Sequence, residues 1–227
     1  MLETRKRFHD ELAALEREVA AESEIAERAL ERSVDALVRR DNALADQVIA
    51  ADDEVDERYL DIERRVLDLL AMQTPVAGDL RLVSAIMHIN LHLERVGDMA
   101  VNIAKIVKAT VDLPSDPTVL THIEEMAVVS GKMLKTAIDA FLRRDLQLCL
   151  QLPRMDDPLD ALNRGMYRQV VRLASDPRTL EWGIQMHMVA RQLERVGDHA
   201  VDIGEQVGFL LTGEFREFTD ASHPDLA

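Results

Sequence analysis

Acidic side chains recur at helical spacing in four places. Glu94, Asp98 and Asn102 stand at i, i+4 and i+8, and Glu194, Asp198 and Asp202 repeat the pattern. Asp52 and Asp56 form another i, i+4 pair, as do Asp156 and Asp160. On a helix this spacing puts each set on one stripe. Like charges so placed cost a helix roughly a few tenths of a kcal/mol per pair, so something must offset them. Two readings are open. One is a solvated acidic flank with Arg95, Arg195 and other basic residues pairing locally. The other is a metal site made of oxygen ligands, suited to iron, Mn²⁺, Mg²⁺ or Ca²⁺, with Zn²⁺ also possible. If the helices carrying the stripes are neighbours, four carboxylates converge along each shared groove.

The other reactive side chains offer less. Cys149 is the single cysteine, which excludes an internal disulfide and any Cys-based zinc site. His88 and His92 have a zinc-like i, i+4 spacing, but on a helical wheel they lie on the flank opposite Glu94 and Asp98. The later residues Met188 and Gln192 replace them at the matching places. They read as packing or surface histidines, and His199 as at most an outer neighbour of Asp198. No Gly-rich phosphate loop and no Gly-x-Ser-x-Gly elbow is present. Ferritin-like di-iron centres need Glu-x-x-His on two helices, and no Glu here has His three residues later. A metal-dependent hydrolase or oxidase and a metal-free helical scaffold with the stripes as docking faces are both open readings of these stripes.

Long helices must position these residues. Low Gly and Pro content and spaced apolar residues predict all-α structure. A first segment carries Phe8, Leu12, Leu15, Val19, Leu30 and Leu37. A second starts at an Asp41 N-cap and ends before Thr74-Pro75, and a third runs from about 77 to 108. Asp112-Leu113-Pro114-Ser115-Asp116-Pro117 reads as a linker. Three more segments follow, near 118–143, 145–173 and 178–211. Pro153 and Pro158 fall inside the fifth, where proline kinks or ends a helix, leaving open whether Asp156 is a ligand or a cap. Met186, Met188 and Trp182 read as core.

The two halves match. Val34-Asp35-Ala36-Leu37-Val38-Arg39-Arg40-Asp41 returns as Ile138-Asp139-Ala140-Phe141-Leu142-Arg143-Arg144-Asp145, an offset of 104. Leu93-Glu94-Arg95-Val96-Gly97-Asp98 returns as Leu193-Glu194-Arg195-Val196-Gly197-Asp198, an offset of 100. This predicts two tandem antiparallel three-helix bundles, one over 1–111 and one over 118–212, with a loosely ordered tail at 213–227. Gly97 and Gly197 sit mid-helix, where Gly costs about 1 kcal/mol relative to Ala. A close helix contact or an approach of the backbone to bound ions would explain them.

Composition bounds the function. The 227 residues hold 42 acidic against 27 basic side chains, a net charge of −15. That sign disfavours nucleic acid and anionic membrane surfaces. The first residues lack the apolar stretch of a signal peptide, and no run is long enough to span a bilayer, so a cytoplasmic protein is the default expectation.

Gly78-Asp79-Leu80-Arg81-Leu82-Val83, followed by Leu93-Glu94-Arg95-Val96-Gly97-Asp98-Met99-Ala100-Val101-Asn102-Ile103-Ala104, resembles the signature of the PhoU family. The second copy, Leu193 to Ile203, matches as well, and the resemblance covers about 12–211. It implies two similar three-helix bundles and acidic-x-x-x-Asp motifs that bind multinuclear metal clusters, iron first among the candidates. Carried over, the first site would use Asp52, Asp56, Glu94 and Asp98 with Asn102 beside them. The second would use Asp156, Asp160, Glu194 and Asp198 with Asp202 beside them. The resemblance also implies a negative regulator of phosphate uptake and phosphate-starvation signalling. Its partners would be a sensor histidine kinase and the ATPase of the phosphate ABC transporter, and it would form a homodimer. In departure from the family pattern, each second-helix motif begins with Asp rather than Glu, and Glu181 replaces Arg81 in the second copy.

Overall fold

The computed structural model describes residues 2–218. Among them are eight helices and no strand: α1 (Leu2–Arg39), α2 (Asn42–Ala50), α3 (Asp52–Met72), α4 (Gly78–Thr110), α5 (Pro117–Arg143), α6 (Leu146–Cys149), α7 (Leu152–Val171) and α8 (Pro177–Thr212). The two extra helices come from breaks the periodicity did not reveal. The expected second segment breaks at Ala51, and the expected fifth breaks at Leu150-Gln151. In the second case Pro153 lies in the first turn of α7, where its missing N–H costs nothing.

Each repeat folds by the same local rules. Arg40 and Arg144 adopt φ of 56° and 55°, ending α1 and α5 in the left-handed region. The following Asp41 and Asp145 return their N–H groups to Ala36 and Ala140 carbonyls at 2.9 and 3.1 Å. Their side chains then cap the next helix, Asp41 accepting from Leu44 N–H and Asp145 from Gln147 and Leu148 N–H. One Arg-Arg-Asp sequence therefore ends a helix, reverses the chain and starts another helix.

In the first repeat α1 packs along α4 and against α2 and α3; in the second α5 packs along α8 and against α6 and α7. The repeats join through α4 on α8 and α1 on α5. One contiguous apolar core runs through both, from Phe8 to Leu210. The matched Leu93 and Leu193 are both fully buried, each stabilising the fold by roughly 1.5–3 kcal/mol. Trp182 and Met186 are core as expected, but Met188 is 47% exposed. Two residues along a helix turn about 200°, so neighbours at i and i+2 face opposite ways.

Arg81 explains one difference between the repeats. Its Nε donates to the Leu210 carbonyl at 3.1 Å, at the C-terminal end of α8. On the other side Arg178, rather than Glu181, donates to the Asp112 carbonyl just beyond α4 at 2.9 Å. Both place cations where helix carbonyls carry partial negative charge. Of the expected tail, 213–218 folds back on α8: Phe218 N–H donates to Glu205 at 2.7 Å and Phe215 stacks on Phe209. Residues 219–227 lie outside the described residues.

Candidate metal centres on the helix seams

The α3–α4 pair carries the first set of carboxylates and α7–α8 the second. Their approach is set by one contact made twice. Val55 of α3 sits against Gly97 of α4, so that a Cβ at 97 would meet Val55 Cγ1 at 3.2 Å. Leu159, the repeat counterpart of Val55, sits against Gly197, where a Cβ would lie 2.5 Å from Leu159 Cδ2 and 3.0 Å from Asp156 Oδ1. The two mid-helix glycines thus serve close helix packing, and Gly197 also makes room for a candidate ligand.

Pro158 does not end α7, which continues through it to Val171. Asp156 is therefore a residue within the helix and not a cap. Its Oδ1 is buried and has no hydrogen-bond partner. Burial, then the charges of Asp160, Asp198 and Glu194, push this carboxyl up to about 7. Glu194 is raised by burial and by Asp198, with Arg191 opposing. In the first repeat burial and Asp98 raise Glu94, and burial with Asp56 and Asp98 raises Asp52. Asp52 and Glu94 on the first seam and Asp156 and Glu194 on the second are thus raised in part by neighbouring carboxylates, the electrostatics of a place that favours a cation.

The seam carboxylates are neighbours without closing into a cage. Like charges repel, and arginines draw individual members aside. Arg95 lies 3.3 Å from Glu94 and 3.1 Å from Asp98, and Arg164 lies 2.9 Å from Asp160. In the second repeat it is Arg191, not Arg195, that pairs with Glu194. Local basic pairing and a shared acidic seam are thus both present. Asn102 is exposed beyond Asp98. Asp202 turns to two histidines: its Oδ2 lies 3.7 Å from His199 Nδ1 and 3.8 Å from His92 Nδ1. The donor set of the seams, all oxygen with buried unpartnered atoms on Asp156 and Glu194, fits hard cations.

Two features were not found from spacing. Glu22 of α1 is fully buried, and neither carboxylate oxygen has a partner. Burial pushes it up to about 8, with Arg58 opposing and Glu94 adding to the rise. A signal existed: Leu15, Val19, Glu22, Ala26 and Leu30 form one apolar stripe interrupted by a single charge, and the repeat counterpart of Glu22 is Met126. The second is the meeting of His92 with His199, whose rings lie 5.1 Å apart. His88 is exposed and bonds its own helix at Ser84, as a surface histidine should. His92 instead lies half-buried between the repeats, and burial holds it down to about 4. Cys149 is buried with its thiol pushed up to about 12, the opposite of an activated nucleophile.

Comparison with known proteins agrees with the repeat. The family model described as "PhoU domain" matches twice, over residues 19–107 and 123–207. The chain is 38% identical over 214 residues to a phosphate-specific transport system accessory protein PhoU homolog of Caulobacter vibrioides, covering 93% of this chain and 92% of that protein. It is 31% identical to the protein of the same description from Clostridium acetobutylicum, over 96% of this chain and all of that one. The crystal structure of PhoU from Pseudomonas aeruginosa superposes with a TM-score of 0.87 at 30% identity, covering 91% of this chain and 100% of that chain. That of the phosphate transport system regulatory protein PhoU from Streptococcus pneumoniae gives 0.84 at 26% identity, covering 92% and 99%.

Proposed function

The chain belongs to the PhoU domain family, and on that premise we propose that it is a negative regulator of phosphate uptake and of phosphate-starvation signalling. The family is one of regulatory accessory proteins and not of enzymes. In this reading the protein works in the cytoplasm as a homodimeric, metal-binding adaptor between the ATPase of a phosphate ABC transporter and a sensor histidine kinase. Among the described residues no helix is long and apolar enough to cross a membrane, which fits an adaptor that reaches membrane partners by docking.

The metal part rests on Asp156, whose buried Oδ1 has no hydrogen-bond partner and faces a seam of further carboxylates. Asp52, Asp56, Glu94 and Asp98 would hold ions on the first seam; Asp156, Asp160, Glu194 and Asp198 would hold them on the second. Iron is the first candidate by family resemblance, and Mn²⁺, Mg²⁺, Ca²⁺ or Zn²⁺ are alternatives. A bound cation would supply the positive charge that each stripe shares, and with it a surface whose charge depends on metal supply.

Metal content of the purified protein tests the assignment. The wild type should carry ions that the Glu94→Ala/Glu194→Ala double variant loses, and unchanged content in the double variant would sink it. Deleting the protein should raise phosphate uptake and starvation-gene expression; if both stay unaltered, the regulatory reading fails. A second reading has an observation behind it. Arg95, Arg164 and Arg191 already pair with stripe carboxylates, as arginines of a basic partner would. If partner binding survives chelators but not stripe substitutions, the stripes are docking faces without metal.

A further inference from the structure

His92 of α4 and His199 and Asp202 of α8 meet where the repeats join. Their ligand atoms, His92 Nδ1, His199 Nδ1 and Asp202 Oδ2, are 2.9, 3.7 and 3.8 Å apart. Among the described residues this is the one set of three His, Cys, Asp or Glu donors in which all the atoms lie within 4.8 Å of one another. The separations have a geometric consequence. The circle through three points so spaced has a radius of about 2 Å, which is the length of a zinc–nitrogen or zinc–carboxylate bond. One ion can therefore touch all three atoms without any of them moving far.

We propose that His92, His199 and Asp202 form a metal site, separate from the carboxylate seams, for a borderline divalent ion with zinc first. Two imidazoles and one carboxylate are a donor set that zinc and its neighbours favour over Mg²⁺ or Ca²⁺. The rings are only 15 and 16% exposed at their side chains, and Asp202 is 48% exposed. That leaves the ion shielded on the protein side and open to water or to a partner's ligand on the other. Two ligands come from the second repeat and one from the first, so the ion ties α4 to α8 across the seam.

The repeat supplies an internal control. At the equivalent positions Gln192, Met99 and Asn102 replace His92, His199 and Asp202, so the corresponding place has no such donor set. The site is single and asymmetric in a twofold-repeated molecule. It takes Asp202, which flanks the second carboxylate set, as its one acidic ligand and uses none of the other eight seam carboxylates.

Cobalt is the probe that separates the two kinds of site. With N-donors at low coordination number Co²⁺ absorbs strongly in the visible, while an all-oxygen octahedral site absorbs weakly. The full chain, stripped of metal and titrated with Co²⁺, should develop a strong band at one equivalent. The band should persist in Glu94→Ala/Glu194→Ala and disappear in His92→Gln and His199→Met, whose new side chains the equivalent positions already accept. Zn²⁺ should displace it. A strong band that survives both histidine substitutions overturns the assignment, and so does its absence from the wild type. If either variant fails to fold, ¹⁵N-histidine NMR of the wild type decides. One equivalent of Zn²⁺ must move the Nδ1 resonances of two histidines, and unmoved resonances refute the site.

Discussion

Burial without a hydrogen-bond partner pushes Glu22 up to about 8, so the folded protein holds a proton there that the unfolded chain releases near 4.5. The folded state binds the extra proton between those values, and stability falls as pH rises through that window, by at most about 1.4 kcal/mol per pH unit. Glu22→Gln removes this slope. In chelator-treated protein the melting temperature of the variant should pull ahead of the wild type progressively from pH 5 to 8, and a constant difference would contradict the assignment. Gly197 makes the second prediction at this scale. An alanine Cβ must displace Leu159 and crowd Asp156, which costs about 1–3 kcal/mol as overpacking and exceeds the roughly 1 kcal/mol gained in helix propensity. Gly97→Ala meets only Val55 at 3.2 Å and should be milder. Paired denaturant titrations check the order.

Helix ends carry the predictions at the scale of the element. Asp145 caps α6 through Gln147 and Leu148 N–H, so Asp145→Ala should cost about 1 kcal/mol. Arg81 reaches the Leu210 carbonyl at the end of α8 from the first turn of α4. Arg81→Ala removes a charge-assisted hydrogen bond, a loss of about 1.5–3 kcal/mol, and frees the last turn of α8. Hydrogen exchange should rise near 207–213 in this variant while the α1–α4 interior keeps its protection; uniform exchange changes would place the bond elsewhere. Most of these elements were readable beforehand, because periodicity and Asp caps are local. The breaks at Ala51 and at Leu150-Gln151 were not, since neither begins with a capping side chain.

At the scale of the molecule the two repeats share one core across α4 and α8. Separating them would expose apolar faces of both long helices, so the chain should unfold in a single calorimetric transition, with van 't Hoff and calorimetric enthalpies equal. Two resolved transitions would mean that the repeats are independent units. The same interface brings His92 beside His199, residues 107 positions apart.

The sequence by itself determined the helices, the duplication, the acidic stripes and the family, because each is written in local spacing or in a matched string of residues. The stripes were legible for the same reason, whereas Glu22 was missed, although it is the one charge interrupting an apolar stripe. Only the tertiary structure decided what those residues face. It assigned Gly97 and Gly197 to helix packing, kept Asp156 inside a helix that passes through Pro158, and exchanged Arg195 for Arg191 as the partner of Glu194. It also turned Asp202 from the end of a stripe toward two histidines. Arg191 and Glu194 lie one turn apart on α8, a choice among local partners, and Asp156 is kept by the backbone of α7 itself; for the two glycines and for Asp202 beside His92 the reason is packing. Helical spacing fixes the direction in which a side chain leaves its own helix, whereas its partners on another helix depend on how closely and at what register that helix packs.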